Sequence, residues 1–150
     1  MRPMNPAYRT LGFALAMLAL PAMGAWEELR RNDQVRLSID PKSIKRKGDT
    51  VSFVYLVDFR QTQGDYKTVE YRSLVTKAHI RCKARMMVTV ESEAYPGNEA
   101  KGVALGVMKP RGKDAEFAKL EAGSSDEDLH KRVCSPAPAA AASDKAAPKK

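Results

Sequence analysis

Cys82 and Cys134 are the only cysteines in the chain. They could pair as a disulfide, or Cys82 could act alone as a nucleophile, because Arg81, Lys83 and Arg85 would lower the pKa of a free thiol beside them. Nucleophilic work also needs a positioned base, and the pattern around Cys82 supplies none. His79 and His130 fall on different predicted elements and lack the acidic or second-histidine spacing of a metal site. Both read as surface or boundary residues. Glu91 and Glu93 share a predicted strand face and mimic a carboxylate pair, yet charge on a solvated sheet edge explains them. The sequence shows no nucleophile elbow, no phosphate-cradling glycine loop and no Ser/His/Asp arrangement. A non-enzyme without cofactor or metal is expected.

Basic clusters are the remaining candidates. Lys42, Lys45, Arg46 and Lys47 gather on one predicted loop and form the candidate site for an anionic ligand. Arg81, Lys83 and Arg85 line one predicted strand face, and Lys149-Lys150 end a polar tail. Lysines in such places also keep β proteins soluble and discourage edge pairing. The formal charge of +8 is spread rather than focused. Residues 1–24 carry +2, residues 135–150 carry +2, and the intervening stretch carries +4 from 21 bases against 17 acids. So modest an excess suits anionic surfaces and speaks against nucleic acid as a partner.

The compartment decides how the cysteines are read. Arg2 and Arg9 form a basic front, Leu11 to Leu20 is an apolar run, and Pro21 breaks it ahead of Ala22-Met23-Gly24. That is the pattern of a secretory signal peptide over residues 1–24, cleaved between Gly24 and Ala25. The apolar run is about half the roughly 20 residues a membrane span needs, so no transmembrane anchor is expected after cleavage. No cysteine stands at the cleavage site to carry a lipid. Two thiols in an oxidising compartment are expected to pair. Closing a loop of fifty-odd residues stabilises a fold by about 4 kcal/mol in the chain-entropy model.

These side chains must be held by a small domain spanning residues 25–134. The stretch Ile80 to Val90, IRCKARMMVTV, alternates in type. It reads as a half-buried strand with Cys82, Ala84, Met86, Val88 and Val90 inward. Val35 to Ile39 is a first strand stopped by Pro41, and KRKGD at Lys45 to Asp49 reads as a hairpin loop. Val51 to Phe59 is apolar enough on both faces to be central. Gln61 to Asp65 is a turn. Thr68 to Ile80 is extended with a slipped phase, which either a bulge near Ser73 or two-sided burial would explain. Pro96-Gly97-Asn98 is a turn, and Val103 to Met108 a short last strand. Ser124-Ser125-Asp126-Glu127 is a capping box that opens a short helix with Leu129 and Val133 on one stripe and Cys134 at its end. Trp26 reads as an apolar anchor for the first segment. Residues 135–150, SPAPAAAASDKAAPKK, read as a disordered Ala/Pro/Lys tail. The expected fold is α+β: an antiparallel sheet of about five or six strands, packed by a short C-terminal helix and stapled by one disulfide.

With these landmarks in order, the stretch from Trp26 to Cys134 resembles the bacterial surface-adhesin protein E family. The landmarks are Trp26, SIDPKSI at Ser38 to Ile44, an apolar second strand, Cys82, Tyr95 before a glycine turn, and the ending FAKLEAGSSDEDLHKRVC. In that ending Phe117 stands for the family's usual Trp and Ala122 for its usual Pro. The resemblance implies an exported Gram-negative protein, periplasmic or extracellular. It also implies a surface adhesin for host extracellular-matrix or serum proteins. With the basic clusters and the lack of a catalytic motif, the expected function is a non-enzymatic binding module for such proteins or for anionic envelope polymers. The missing lipidation cysteine motivates an alternative, a soluble periplasmic protein with a structural or envelope-maintenance role.

Overall fold

A computed structural model of the chain describes residues 26–64 and 69–136. The expected signal peptide, most of the expected tail and the loop around Asp65 lie outside the described residues. Among the described residues one antiparallel sheet of eight strands carries a single α-helix. Six strands make its main path, in the order β1 (Glu27–Arg31), β2 (Val35–Ile39), β4 (Thr50–Gln63), β5 (Tyr71–Arg81), β6 (Met86–Tyr95) and β7 (Gly106–Met108). Two short strands lie beside that path: β3 (Lys45–Lys47) pairs with β4, and β8 (Ala118–Lys119) pairs with β6. The expected fold class is therefore observed. The extra strands are two- to five-residue pieces whose sequences carry no apolar alternation of their own.

Strand phase decides what each face carries. Val51 and Phe53 of β4 stand beside Ile80 and Ala78 of β5, with Leu37 and Ile39 of β2 on the same side. All six are buried, and Leu129 and Val133 of the helix α1 (Ser125–Cys134) join them in one core cluster. Leu129 is fully buried, as the four-residue stripe requires. Burying such a side chain is worth about 1.5–3 kcal/mol, which is what lets a ten-residue helix persist. Its N-terminus carries the expected cap: Ser124 Oγ accepts from the Glu127 N–H at 3.3 Å. The Glu127 carboxylate reaches back to the Gly123 N–H at 2.8 Å, one residue earlier than a standard box.

The stretch IRCKARMMVTV is a hairpin rather than one strand. β5 ends at Arg81, residues 82–85 form the turn, and β6 starts at Met86. Arg85 takes a left-handed φ of 51°. The Asp49 carboxylate accepts from the Lys83 N–H at 3.1 and 3.2 Å, which holds the turn. Beyond it the phase is opposite to the expected one. Met87, across from Ile80, is buried, and Val90 is exposed at 40%. Basic residues at every second position imitate a strand, because a four-residue turn has the same even count.

The slipped phase of β5 also resolves. Its pairing with β4 is continuous from Arg81 to Ser73 and then shifts, Asp58 pairing Ser73 but Gln63 pairing Tyr71, so the extra residues of a bulge beside Ser73 lie on β4. A second irregularity is on β6, where Lys77 pairs Glu91 and Ala78 pairs Thr89, leaving Val90 unpaired. Ser73 is buried because the 3-10 turn Asn98–Ala100 folds over that end of the sheet. Ser73 Oγ donates to the Gly97 carbonyl at 2.6 Å and accepts from the Ala100 N–H at 3.1 Å. Both a register shift beside Ser73 and burial on both faces are therefore present. KRKGD likewise divides: Lys45–Lys47 are β3, and the loop is only Gly48-Asp49, with Gly48 at φ 60°. β4 runs on to Gln63 where a turn was expected, and the last strand shrinks to Gly106–Met108.

Candidate functional site

One face of the sheet is covered by the helix; the other is covered at one end by the turn Asn98–Ala100 and open at the end near β3, and the basic residues divide between the two faces. In β3, Lys45 and Lys47 stand opposite Ser52 and Thr50, while Arg46 stands opposite Val51. Alternation therefore sends Arg46 to the helix side. There its Nη2 donates to the Val133 carbonyl at 2.8 Å, at the C-terminal end of α1 where a cation is favoured. Arg46 is thus separated from the lysines it was grouped with. Lys42 lies in the 3-10 turn Pro41–Ser43, where its N–H is held by the Asp40 carboxylate at 2.9 Å. Lys42, Lys45 and Lys47 are all exposed.

Lys42 and Lys45 rim a concavity of about 340 Å³ on the open face, with Lys77 and His79 of β5 on its other side and Val54 and Val90 among its apolar lining. Lys77 is held by Glu91 at 2.6 Å, a bond that raises its pKa and lowers that of Glu91. The Nδ1 atom of His79 is buried and has no hydrogen-bond partner among the described residues. Lysine ammoniums around an apolar floor attract an anionic group and shelter the ligand's aliphatic or ring surface. Lys77 and His79 were missed in the sequence. Their only signal is position: both stand on the strand face that the pairing Ser52↔His79 brings beside β3. Glu93 accepts from Tyr95 Oη at 2.7 Å, so Glu91 and Glu93 have separate partners.

Other charged and histidine side chains are engaged around the β5–β6 turn and the helix. Arg81 places its guanidinium 4.1 Å from the centre of the Phe117 ring. Arg85 Nη2 donates to Glu127 at 3.0 Å. His130 Nε2 lies 3.0 Å from the Cys82 carbonyl. Cys82 and Cys134 are bonded, with sulfurs 2.07 Å and Cα atoms 5.6 Å apart, both packed against the core cluster. The bridge fixes α1 to the β5–β6 turn, not to a strand interior.

The Gly123 N–H and Arg85 hold the Glu127 carboxyl at about 2, below its ordinary 4.5. A depressed carboxyl stabilises the fold fully above its unfolded pKa and loses that contribution as pH falls toward the folded value. Glu127→Gln should therefore melt below wild type at neutral pH, and the gap should close between about pH 5 and 2. Parallel melting curves at stepped pH check this; a gap independent of pH would remove the role assigned to the charge.

The profile of the family described as surface-adhesin protein E matches residues 26–135. The chain belongs to the surface-adhesin protein E family. Among solved structures it is similar to Haemophilus influenzae protein E in crystal form II. There the TM-score is 0.57 and the identity 17%, over 73% of this chain and 86% of that one. A second structure, of protein E from non-typeable Haemophilus influenzae, gives a TM-score of 0.54 and 17% identity, over 73% and 74%. A third Haemophilus influenzae protein E structure gives 0.55 and 16%, over 73% and 83%. At such identity the surface-adhesin protein E likeness shows a shared fold. No curated protein sequence matches the chain. Membership in a surface-adhesin family implies an exported protein. Among the described residues no helix is long and apolar enough to cross a membrane.

Proposed function

We propose that this surface-adhesin protein E domain is a non-enzymatic binding module of the Gram-negative envelope or cell exterior. Its ligands are matrix or serum proteins of a host, or anionic polymers, taken through acidic groups. The supporting observation is the lysine-rimmed groove on the open sheet face, where Lys42 and Lys45 from one end of the chain meet Lys77 and His79 from its middle. The opposite face is already occupied by the helix. A rigid sheet with one face closed and the other presenting cations suits recognition by surface complementarity, with electrostatics setting encounter rate and salt dependence.

Purified protein passed over immobilised heparin and over matrix-protein surfaces tests the reading. Salt-sensitive retention is expected, and the double variant Lys42→Gln/Lys45→Gln should weaken it about three- to tenfold with an unchanged melting temperature. Arg46→Gln should leave binding intact and lower stability instead, because Arg46 serves the helix end. Retention on neither surface, or loss through Arg46→Gln with none through the lysines, would remove the groove from the function.

A further inference from the structure

Four neighbouring strands each bring one arginine to the same end of the sheet. Arg31 ends β1, Arg36 lies on β2, Arg60 on β4 and Arg72 on β5. Together they line a concavity of about 230 Å³, whose one acidic lining residue among the described residues is Asp58. That carboxylate is fully engaged, accepting from Arg36 Nε at 3.1 Å and from the Glu99 N–H at 2.6 Å. Two of the arginines are matched as well: Arg31 by Glu28 at 3.0 Å, and Arg36 by Asp58 and by Glu99 at 2.9 Å.

Arg60 and Arg72 are different. Neither makes an ion pair among the described residues. Arg60 is exposed. Arg72 donates from Nη2 to the Arg60 carbonyl at 2.6 Å, while its Nε is buried with no acceptor among the described residues. A buried charged donor without an acceptor is costly and calls for an explanation. Guanidinium groups match the fork geometry of carboxylate, sulfate and phosphate. The space is smaller than the roughly 300 Å³ at which sites for drug-sized ligands begin, so it suits one charged group rather than a whole organic cofactor.

We infer that this arginine-lined end of the sheet is a second ligand site, taking a single oxyanion group, with Arg72 and Arg60 as its cations. It stands apart from the lysine groove: the two are about six residues apart along β4, or about 20 Å. The inference therefore does not depend on that groove.

Separate titrations with inorganic phosphate, inorganic sulfate and acetate, followed through the Arg72 Nε–Hε resonance of the purified protein, test the site. A saturable shift is expected with at least one of them. Tighter binding of phosphate or sulfate assigns the group to a phosphorylated or sulfated ligand, and tighter binding of acetate to a carboxylate. Arg72→Lys keeps the charge but loses the fork, and should weaken binding about tenfold. Arg60→Gln, on an exposed side chain that leaves the fold alone, should weaken it about three- to fivefold. Lys45→Gln should change nothing. No saturable shift with any of the three anions overturns the inference. Equal weakening by Lys45→Gln and Arg60→Gln overturns it too, since only the net charge would then be sensed.

Discussion

Cys134→Ser should lower the melting temperature by about 15–25 °C, the largest single effect expected in this protein. The bridge closes a loop of 52 residues, which corresponds to about 4 kcal/mol in the chain-entropy model. For a domain of about 110 residues each kcal/mol moves the midpoint by about 4–6 °C. The helix adds to the loss. Its two buried residues, Leu129 and Val133, keep their places only while α1 is docked, and a ten-residue helix does not persist alone. Thermal denaturation followed by circular dichroism, with the wild type under reducing conditions as a second arm, measures the effect. Cys82→Ser should match it. A midpoint within a few degrees of wild type in all three arms would show that packing alone holds the helix.

Asp58→Ala should cost about 2–3 kcal/mol, below the range for breaking a fully buried charged pair because Arg36 is partly exposed and keeps Glu99. Asp58 is 4% exposed. Its carboxylate holds three groups in two segments: Arg36 on β2 and, in the turn Asn98–Ala100, the Glu99 N–H and, more weakly, Asn98 Nδ2 at 3.5 Å. Without it the Arg36 guanidinium loses a buried partner, and the turn Asn98–Ala100 loses the bond that fastens its first residues to the sheet. Urea denaturation reads the stability. Hydrogen exchange reads the second part: the amides of Glu99 and Ala100 should lose protection ahead of the core amides of β4 and β5. Unchanged exchange at Glu99 would show that the turn is held by Ser73 and Asn98 instead.

Asp58 and Ser73 also mark where sequence reasoning stops. Both are polar residues in predicted strands, and both are buried because a turn more than twenty residues later folds over them. Nothing local to either residue announces that cover. The same holds for Arg46. Its neighbours place it with Lys45 and Lys47, and only strand alternation sets it opposite Val51, within reach of the helix end. The error over Ile80 to Val90 has another origin. A four-residue turn preserves even spacing, so a basic hairpin and a half-buried strand share one pattern. What tells them apart is the hairpin pairing Ile80↔Met87, which the spacing of residue types does not show.

What the sequence by itself determined is whatever rests on local pattern or on composition. The capping box fixes the start of the helix, period-two runs fix β2 and most of β4, and an even pair of thiols in an exported chain fixes the Cys82–Cys134 bond. What only the tertiary structure decided is which charges meet. Lys42 with His79, and Arg60 with Arg72, come from segments whose separation in the chain says nothing of their separation in space. Side-chain chemistry is written residue by residue, but a binding surface is made by strand register, and register follows from burying one whole face at once.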